Sequence, residues 1–292
     1  MATDCCGHGV VLATRVCFTS DLHGDVRLYE QLGELLRAEM PDLLVLGGDL
    51  FRDVDRDAPV LPQVARMVQE LMHRVRLWCD GNPRLRVACV AGNHEIVPIR
   101  EALEVQHAAG RLMLLSRSRP WHYAGLVWLG YECTPPSPHW AKDFERCDVP
   151  DDPPPAFDGV EWDPAQQRLR EVTAAEYFAR QPSMVAELAD VVTPAQPWVL
   201  VAHAPPYDSR LDRLFSVAHP IGSQAVRRFI EERRPVLSLH GHVHESPQVT
   251  GAYIDQIGQT LAINPGQGHE RLHAVLFDLE RPTGTLRHTV FT

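Results

Sequence analysis

The sequence predicts an α/β fold, on three observations. Short apolar or β-branched runs that end in Gly, Asn, Asp or His recur along the chain, amphipathic stretches with apolar residues three or four apart lie between them, and metal-binding residue types stand just past the runs. Continuous short apolar runs are the pattern of strands covered on both faces.

In chain order, strands are predicted at Arg15 to Ser20, Leu43 to Leu46 and Arg86 to Ala91. Between them, Tyr29, Leu32, Leu36 and Met40 mark one helix and Val64, Val68, Leu71, Val75 and Trp78 a second, so the strands should pair in parallel through βαβ units. Strands at Leu112 to Leu115 and Leu126 to Tyr131 precede a change of composition. From Glu132 to Gln181 the chain is rich in proline and charge and lacks sustained periodicity, which predicts an inserted loop or cap (132–181) within a single domain spanning 1–292. Its Trp140, Phe144, Phe157 and Trp162 weigh against disorder. There follow a helix near Ser183 to Val192, a strand at Trp198 to Ala202, a helix near Ser223 to Arg233, and strands at Val236 to Leu239, Thr260 to Ile263, Leu272 to Leu279 and Gly284 to Phe291, the last two as a closing hairpin. Residues 1–13 have no basic region before their short apolar run and are expected to be a flexible terminus rather than a signal peptide.

With 45% hydrophobic and 23% charged residues in 292, the composition is that of a soluble globular protein, and no run approaches the ~18 apolar residues needed to span a bilayer. The net charge is −10, and Lys142 is the only lysine among the cations. An acidic surface repels nucleic acid unless positive potential is concentrated locally, as bound metal ions would do. Seven cysteines, an odd number without a CxxC pair, read as reduced thiols and predict a cytoplasmic protein.

The chemistry is carried by residues placed after strands: Asp21 and His23 after the first, Asp49 after the second, Asn93 and His94 after the third, His203 after a later one, and His240, His242 and His244 after another. In open α/β sheets that edge is where ligands bind, so these residues should converge. Asp21 and His23 are two apart, and an extended chain would aim both at one ion; His242 and His244 repeat the spacing. Carboxylate, imidazole and amide ligands suit Mn, Fe, Ni or Zn, and two such ions need a bridging carboxylate, for which Asp49 is the candidate.

Asp21-Leu-His23, Gly48-Asp49, Gly92-Asn93-His94-Glu95, His203 and Gly241-His242-Val-His244 together resemble the ordered blocks of the calcineurin-like metallophosphoesterases. The resemblance implies a four-layer αββα sandwich of two mixed sheets flanked by helices. It further implies two divalent cations, with manganese favoured: Asp21, His23, Asp49 and His244 on one, and Asp49, Asn93, His203 and His242 on the other. The nucleophile it implies is a metal-bridging hydroxide, with Asn93 and His94 at the phosphate and His94 protonating the leaving oxygen. Two divalent cations against two carboxylates and a hydroxide leave about +1 at the floor of the site, a local phosphate trap on an acidic protein.

The serine/threonine phosphatases of that superfamily carry an arginine before the Gly-Asn-His block and an Asp-Arg pair after the bridging aspartate. Here Ala91, Arg52 and Asp53 occupy those positions, which disfavours that subgroup and leaves Asp53 either orienting His94 or standing as an ordinary loop carboxylate. Tyr207 and Arg210, in the segment after His203, are substrate-contact candidates, with a rigid positioning turn as the alternative. His240 is expected to orient a neighbour, Asn264-Pro-Gly to form a structural turn, and His269 and His273 not to form a metal pair; His139 is expected on the surface or in packing. The resulting expectation is a phosphodiesterase, favoured over a phosphomonoesterase, acting on a small, nucleotide-like phosphoester, with no membrane partner and with nucleic acid disfavoured. The alternatives are a nuclease on DNA or RNA ends and a catalytically silent scaffold.

Overall fold

The computed structural model describes residues 13–150, 152–153 and 155–291. The predicted flexible segment therefore lies, except for Ala13, outside the described residues, as do Cys5 and Cys6. The other five cysteines are unpaired thiols.

Along the chain the elements are β1 (Arg15–Thr19), α1 (Val26–Glu39), β2 (Leu43–Leu46), α2 (Val60–Gly81), β3 (Arg86–Cys89), α3 (Val97–Ala108), β4 (Met113–Leu114), β5 (Trp121–Tyr123) and β6 (Leu126–Tyr131). Then come β7 (Gly159–Asp163), β8 (Arg168–Val172), α4 (Ala174–Phe178), α5 (Met184–Ala189), β9 (Trp198–Ala202), α6 (Gln224–Arg233) and β10 (Leu237–Leu239). The chain ends with α7 (Ser246–Thr250), β11 (Ile254–Ile257), β12 (Thr260–Ile263), β13 (Val275–Asp278), α8 (Pro282–Thr285) and β14 (Arg287–His288).

Two six-stranded mixed sheets result, ordered β14-β13-β1-β2-β3-β4 and β11-β12-β10-β9-β6-β5. β1 to β4 run parallel, as do β12, β10, β9 and β6, while β13, β11 and β5 pair antiparallel with their neighbours. Each apolar run divides between two cores. Val16, Phe18, Leu43 and Val45 of the first sheet meet Trp128, Val199, Val201, Leu237 and Leu239 of the second. The alternate residues Cys17, Leu44, Leu46, Val87 and Cys89 face α1 to α3, and Leu200 and Ala202 face α5 and α6. The layers are thus helix, sheet, sheet, helix, the predicted sandwich. Burial on both faces is why a period of two is hidden in runs that are apolar throughout.

Local chemistry places the ends of the elements. Asp25 caps α1 through Oδ1, accepting from Arg27 N and Leu28 N, and Met40, expected on its apolar face, instead ends it in a left-handed conformation. The predicted strand Gly284 to Phe291 is a correction: Pro282 opens α8, Thr285 Oγ1 ties it to Arg281 O and Asp278 N, and only Arg287 and His288 pair with β13, still antiparallel.

The segment 132–181 holds more regular structure than its composition predicts. β7 and β8 form a hairpin of their own, followed by α4. Lys142 lies fully buried beneath it, donating to Ser137 O, His139 O and Glu145 Oε2. Val160 to Trp162 are covered on both sides, with Glu161 paired to Arg170 and Arg180, so no amphipathic signal survives in the sequence.

Candidate metal centre

The loops after β1, β2, β3, β9 and β10 meet at one place. Their backbones are tied first: Asp21 N donates to Gly48 O, His23 N to Asp49 O and Gly241 N to His203 O, at 2.9 to 3.0 Å. Asp21, His23, Asp49 and His242 all have positive φ, between 44° and 64°. Non-glycine residues rarely adopt this conformation, and it clusters at functional sites. The Asp21/His23 spacing therefore converges through left-handed turns and not, as the spacing rule predicts, through an extended chain. Gly92 is required by close approach, since a Cβ there would stand 2.6 Å from His203 Nε2 and 2.7 Å from Asp49 N.

Four overlapping donor groups form: one is Asp53, His94 and His139, another joins Asp49 to His23 and His94, and two fall within the predicted ligand sets. Of these two, Asp21, His23 and His244 make one, with His244 Nε2 at 3.2 Å from both Asp21 Oδ1 and His23 Nε2. Asp49, His203 and His242 make the other, with His203 Nε2 at 3.2 Å from Asp49 Oδ2. Asp49 also groups with His23 and His94, so it stands between the two sets. His203 Nδ1 donates to Gly47 O at 2.8 Å, which fixes its tautomer and leaves Nε2 facing the site. That nitrogen and Asn93 Oδ1 are buried without a hydrogen-bonding partner. Buried orphans of this kind need an explanation, and cations of the borderline class supply one: the N/O donors present fit them.

The buried carboxylates and imidazoles of the cluster shift one another. Burial opposes the charge on Asp21, but the His244 and His203 imidazoles hold its carboxyl down to about 2. Burial likewise disfavours a charged His203, yet Asp49 and Asp21 push it up to about 10, while burial and the neighbouring His203 draw His242 down to about 3.

Asp53 resolves in favour of the orienting role: His94 Nδ1 meets its Oδ1 at 3.1 Å, and His94 N donates to Asp49 Oδ1 at 2.9 Å. Against the cost of burial, Asp53 and Asp49 push His94 up to about 8. His240 is wholly buried, and its Nδ1 lies at 3.1 and 2.9 Å from Ala202 O and Ala204 O, the carbonyls on either side of His203. Asn264 Nδ2 donates to Gly241 O and Val243 O, holding the His242 loop. Tyr207 and Arg210 lie on a turn that Asp212 organises by accepting from Asp208 N, Ser209 N and Gly222 N. His269 and His273 form no donor group among the described residues.

Two residues escaped the sequence reading. Glu95, fully buried, accepts from Asp49 N, Leu50 N, Phe51 N and Gly92 N, joining the loops after β2 and β3. Its place in the Gly-Asn-His-Glu block was the available signal. His139, from the segment 132–181, stacks on His94 with ring centroids 3.6 Å apart, a tertiary contact without a local pattern.

A sandwich of two mixed sheets with a His/Asp cluster at the strand ends is the frame of a metal-dependent hydrolase. The calcineurin-like phosphoesterase family model matches residues 14–246, and the chain belongs to that family. A curated relative, the uncharacterized protein MJ1162 of Methanocaldococcus jannaschii, is 36% identical over 83 residues, which is 27% of this chain and 35% of that protein. Among solved structures, TT1561 of Thermus thermophilus matches with TM-score 0.54 and 18% identity over 94% of this chain and 98% of its own. A dimetal phosphatase from Danio rerio matches with TM-score 0.52 and 12% identity over 91% and 93%. A further solved chain reaches TM-score 0.65 at 16% identity, over 96% of this chain and 100% of its own. Among the described residues no helix is long and apolar enough to cross a membrane.

Proposed function

We propose that this chain hydrolyses small, nucleotide-like phosphate esters at a two-cation centre, with diesters preferred to monoesters, in the cytoplasm. The observation that carries the reading is the meeting of two N/O donor sets around Asp49, with Asn93 Oδ1 and His203 Nε2 left as buried orphans. Asp21, His23, Asp49 and His244 would hold one cation and Asp49, Asn93, His203 and His242 the other, manganese being favoured. Bound there, the cations would supply Lewis acidity toward the phosphoryl oxygens and acidify a water at neutral pH. That a fold neighbour is named a dimetal phosphatase agrees with the count.

The chain's own residues do the rest. Asn93 and His94 flank the phosphate. His94, its Nδ1 engaged by Asp53, is placed to hold a proton on Nε2 for the departing oxygen. Tyr207 and Arg210 are the candidates for contacts to the rest of the substrate. The net charge of −10 favours a small ester over a long duplex.

The test uses protein stripped of metal and resupplied with manganese, on bis-p-nitrophenyl phosphate and p-nitrophenyl phosphate, beside the Asp49→Ala variant. Metal-dependent turnover that favours the diester and disappears in the variant is expected. Two bound ions with no turnover of either ester would overturn it in favour of a silent scaffold; loss of a labelled single strand in their place would favour the nuclease.

A further inference from the structure

Three contacts join the segment 132–181 to His94 and the two loops around it. The His139 ring lies over His94, 28° from parallel. Trp140 donates Nε1–H to Asp53 Oδ2 at 3.2 Å, while the other oxygen of Asp53 meets His94 Nδ1. Asp143 Oδ2 accepts from Val97 N at 2.8 Å, capping α3 from outside where Ile96, its own N-cap, has no side chain to do so. The other Asp143 oxygen accepts from Trp162 N in β7, so the cap is itself anchored.

His139 is fixed from below. Lys142 Nζ donates to its carbonyl at 2.6 Å and to Glu145 Oε2 at 2.9 Å, both deep in the protein. The His139 side chain is 9% exposed, and its Nε2 is buried without a partner, 3.8 Å from Asp53 Oδ1. Four imidazoles thus stand in a row, His244, His23, His94 and His139, with centroids 5.0, 4.6 and 3.6 Å apart. The first two belong to the cation group; His139 closes the far end.

Asp53 alone is a weak anchor for His94, because its side chain is 42% exposed and an exposed pair is readily exchanged for water. A ring held at one nitrogen also keeps the freedom to swing about that hydrogen bond. A second ring stacked on its face removes that freedom, and Trp140 removes the matching freedom of the carboxylate.

We propose that His139 is a positioning residue for His94, which makes the segment 132–181 part of the leaving-group side of the site. The inference rests on the reading of His94 as the proton donor to the leaving oxygen. Its structural half, the holding of His94, stands apart from that reading and is tested apart from it.

The variants are His139→Ala, His139→Phe, which keeps a stackable ring, and Trp140→Phe, which loses only the hydrogen bond to Asp53. Two measurements are made on metal-loaded protein. In the crystal structure of His139→Ala, His94 Nδ1 should leave hydrogen-bonding distance of Asp53 while bound metal is unchanged. In kinetics, kcat should fall about 100-fold on a diester with an alkyl leaving group and less than about 3-fold on the p-nitrophenyl diester, with KM steady, because only the poor leaving group needs the proton. His139→Phe should recover most of the loss, and Trp140→Phe should show the same selective loss at smaller size, which serves if His139→Ala does not fold. Equal losses on both esters, or a His94 that stays on Asp53 without His139, would overturn the proposal. If the wild type turns over neither ester, the proposed function fails, and the position of His94 in the variant still decides the role of His139.

Discussion

Glu95→Gln probes how the two loops that carry Asp49 and Asn93 are held in register. The carboxylate takes Leu50 N at 2.8 Å and Phe51 N at 3.2 Å on Oε1, and Gly92 N at 2.6 Å and Asp49 N at 3.0 Å on Oε2. A carboxamide of the same shape keeps one acceptor oxygen, so whichever way it turns, its NH2 faces two backbone N–H donors. At a pH above the value of about 7 to which burial and Asp49 push Glu95, two charge-assisted bonds are lost and two buried amides go unpaired, at about 1.5–3 kcal/mol for each bond to a charged acceptor, hence about 3–6 kcal/mol together. For a chain of 292 residues that corresponds to a fall in Tm of about 5–10 °C. The assay is thermal and urea unfolding in excess chelator, so that loss of bound metal does not add to the difference. The metal-free variant is then titrated with manganese, and binding should weaken because Asp49 is no longer placed by its own amide. A variant that melts within about 2 °C of wild type and binds manganese equally would refute the claim that these bonds set the loop.

Three further outcomes are expected. His94→Ala should retain its metal, measured by elemental analysis, and lose about 100- to 10,000-fold in kcat on an alkyl diester; full activity there would remove its acid role. Lys142→Ala strands the buried Glu145 carboxylate and two carbonyls, and should cost about 3–5 kcal/mol in urea unfolding, whereas Lys142→Met with Glu145→Leu should recover much of it. Gly92→Ala drives a Cβ toward His203 Nε2 and Asp49 N, so manganese affinity measured by calorimetry should drop at least about 10-fold while the secondary structure seen by circular dichroism is kept.

Strands buried on both faces were readable from the sequence. Leu43–Leu46, Leu126–Tyr131, Trp198–Ala202 and Thr260–Ile263 coincide with the apolar runs, because in a sandwich both sides of such a strand must be apolar. The edge strand β11, Ile254-Asp-Gln-Ile, and the hairpin β7–β8 were not, since their side chains answer to local partners such as Arg170 and Arg180 on Glu161. At the site, Asp21, His23, Asp49, Asn93, His203, His242 and His244 were visible because each sits in a short block at a strand end. The left-handed backbones of Asp21, His23, Asp49 and His242 were not visible, because most Asp and His residues have negative φ. Asp53 and Glu95 act through atoms that no spacing reveals: one holds the far nitrogen of a ring, the other four main-chain amides. His139 lies 45 positions further along the chain than the His94 it touches, and only the folded segment brings them together.

Each of the two ligand groups draws on both sheets. Asp21, His23 and Asp49 follow strands of the first, whereas His203, His242 and His244 follow strands of the second. Each cation would therefore act as a rivet between two halves whose ligating residues stand far apart in the chain, His23 and His244 by 221 positions. Because such ions bind only when both edges are in place, metal affinity and the cohesion of the sandwich are a single linked quantity. Metal supply would then govern the lifetime of the folded protein as well as its turnover. The edge where the two sheets open toward solvent is the place from which a metal-starved molecule should begin to come apart.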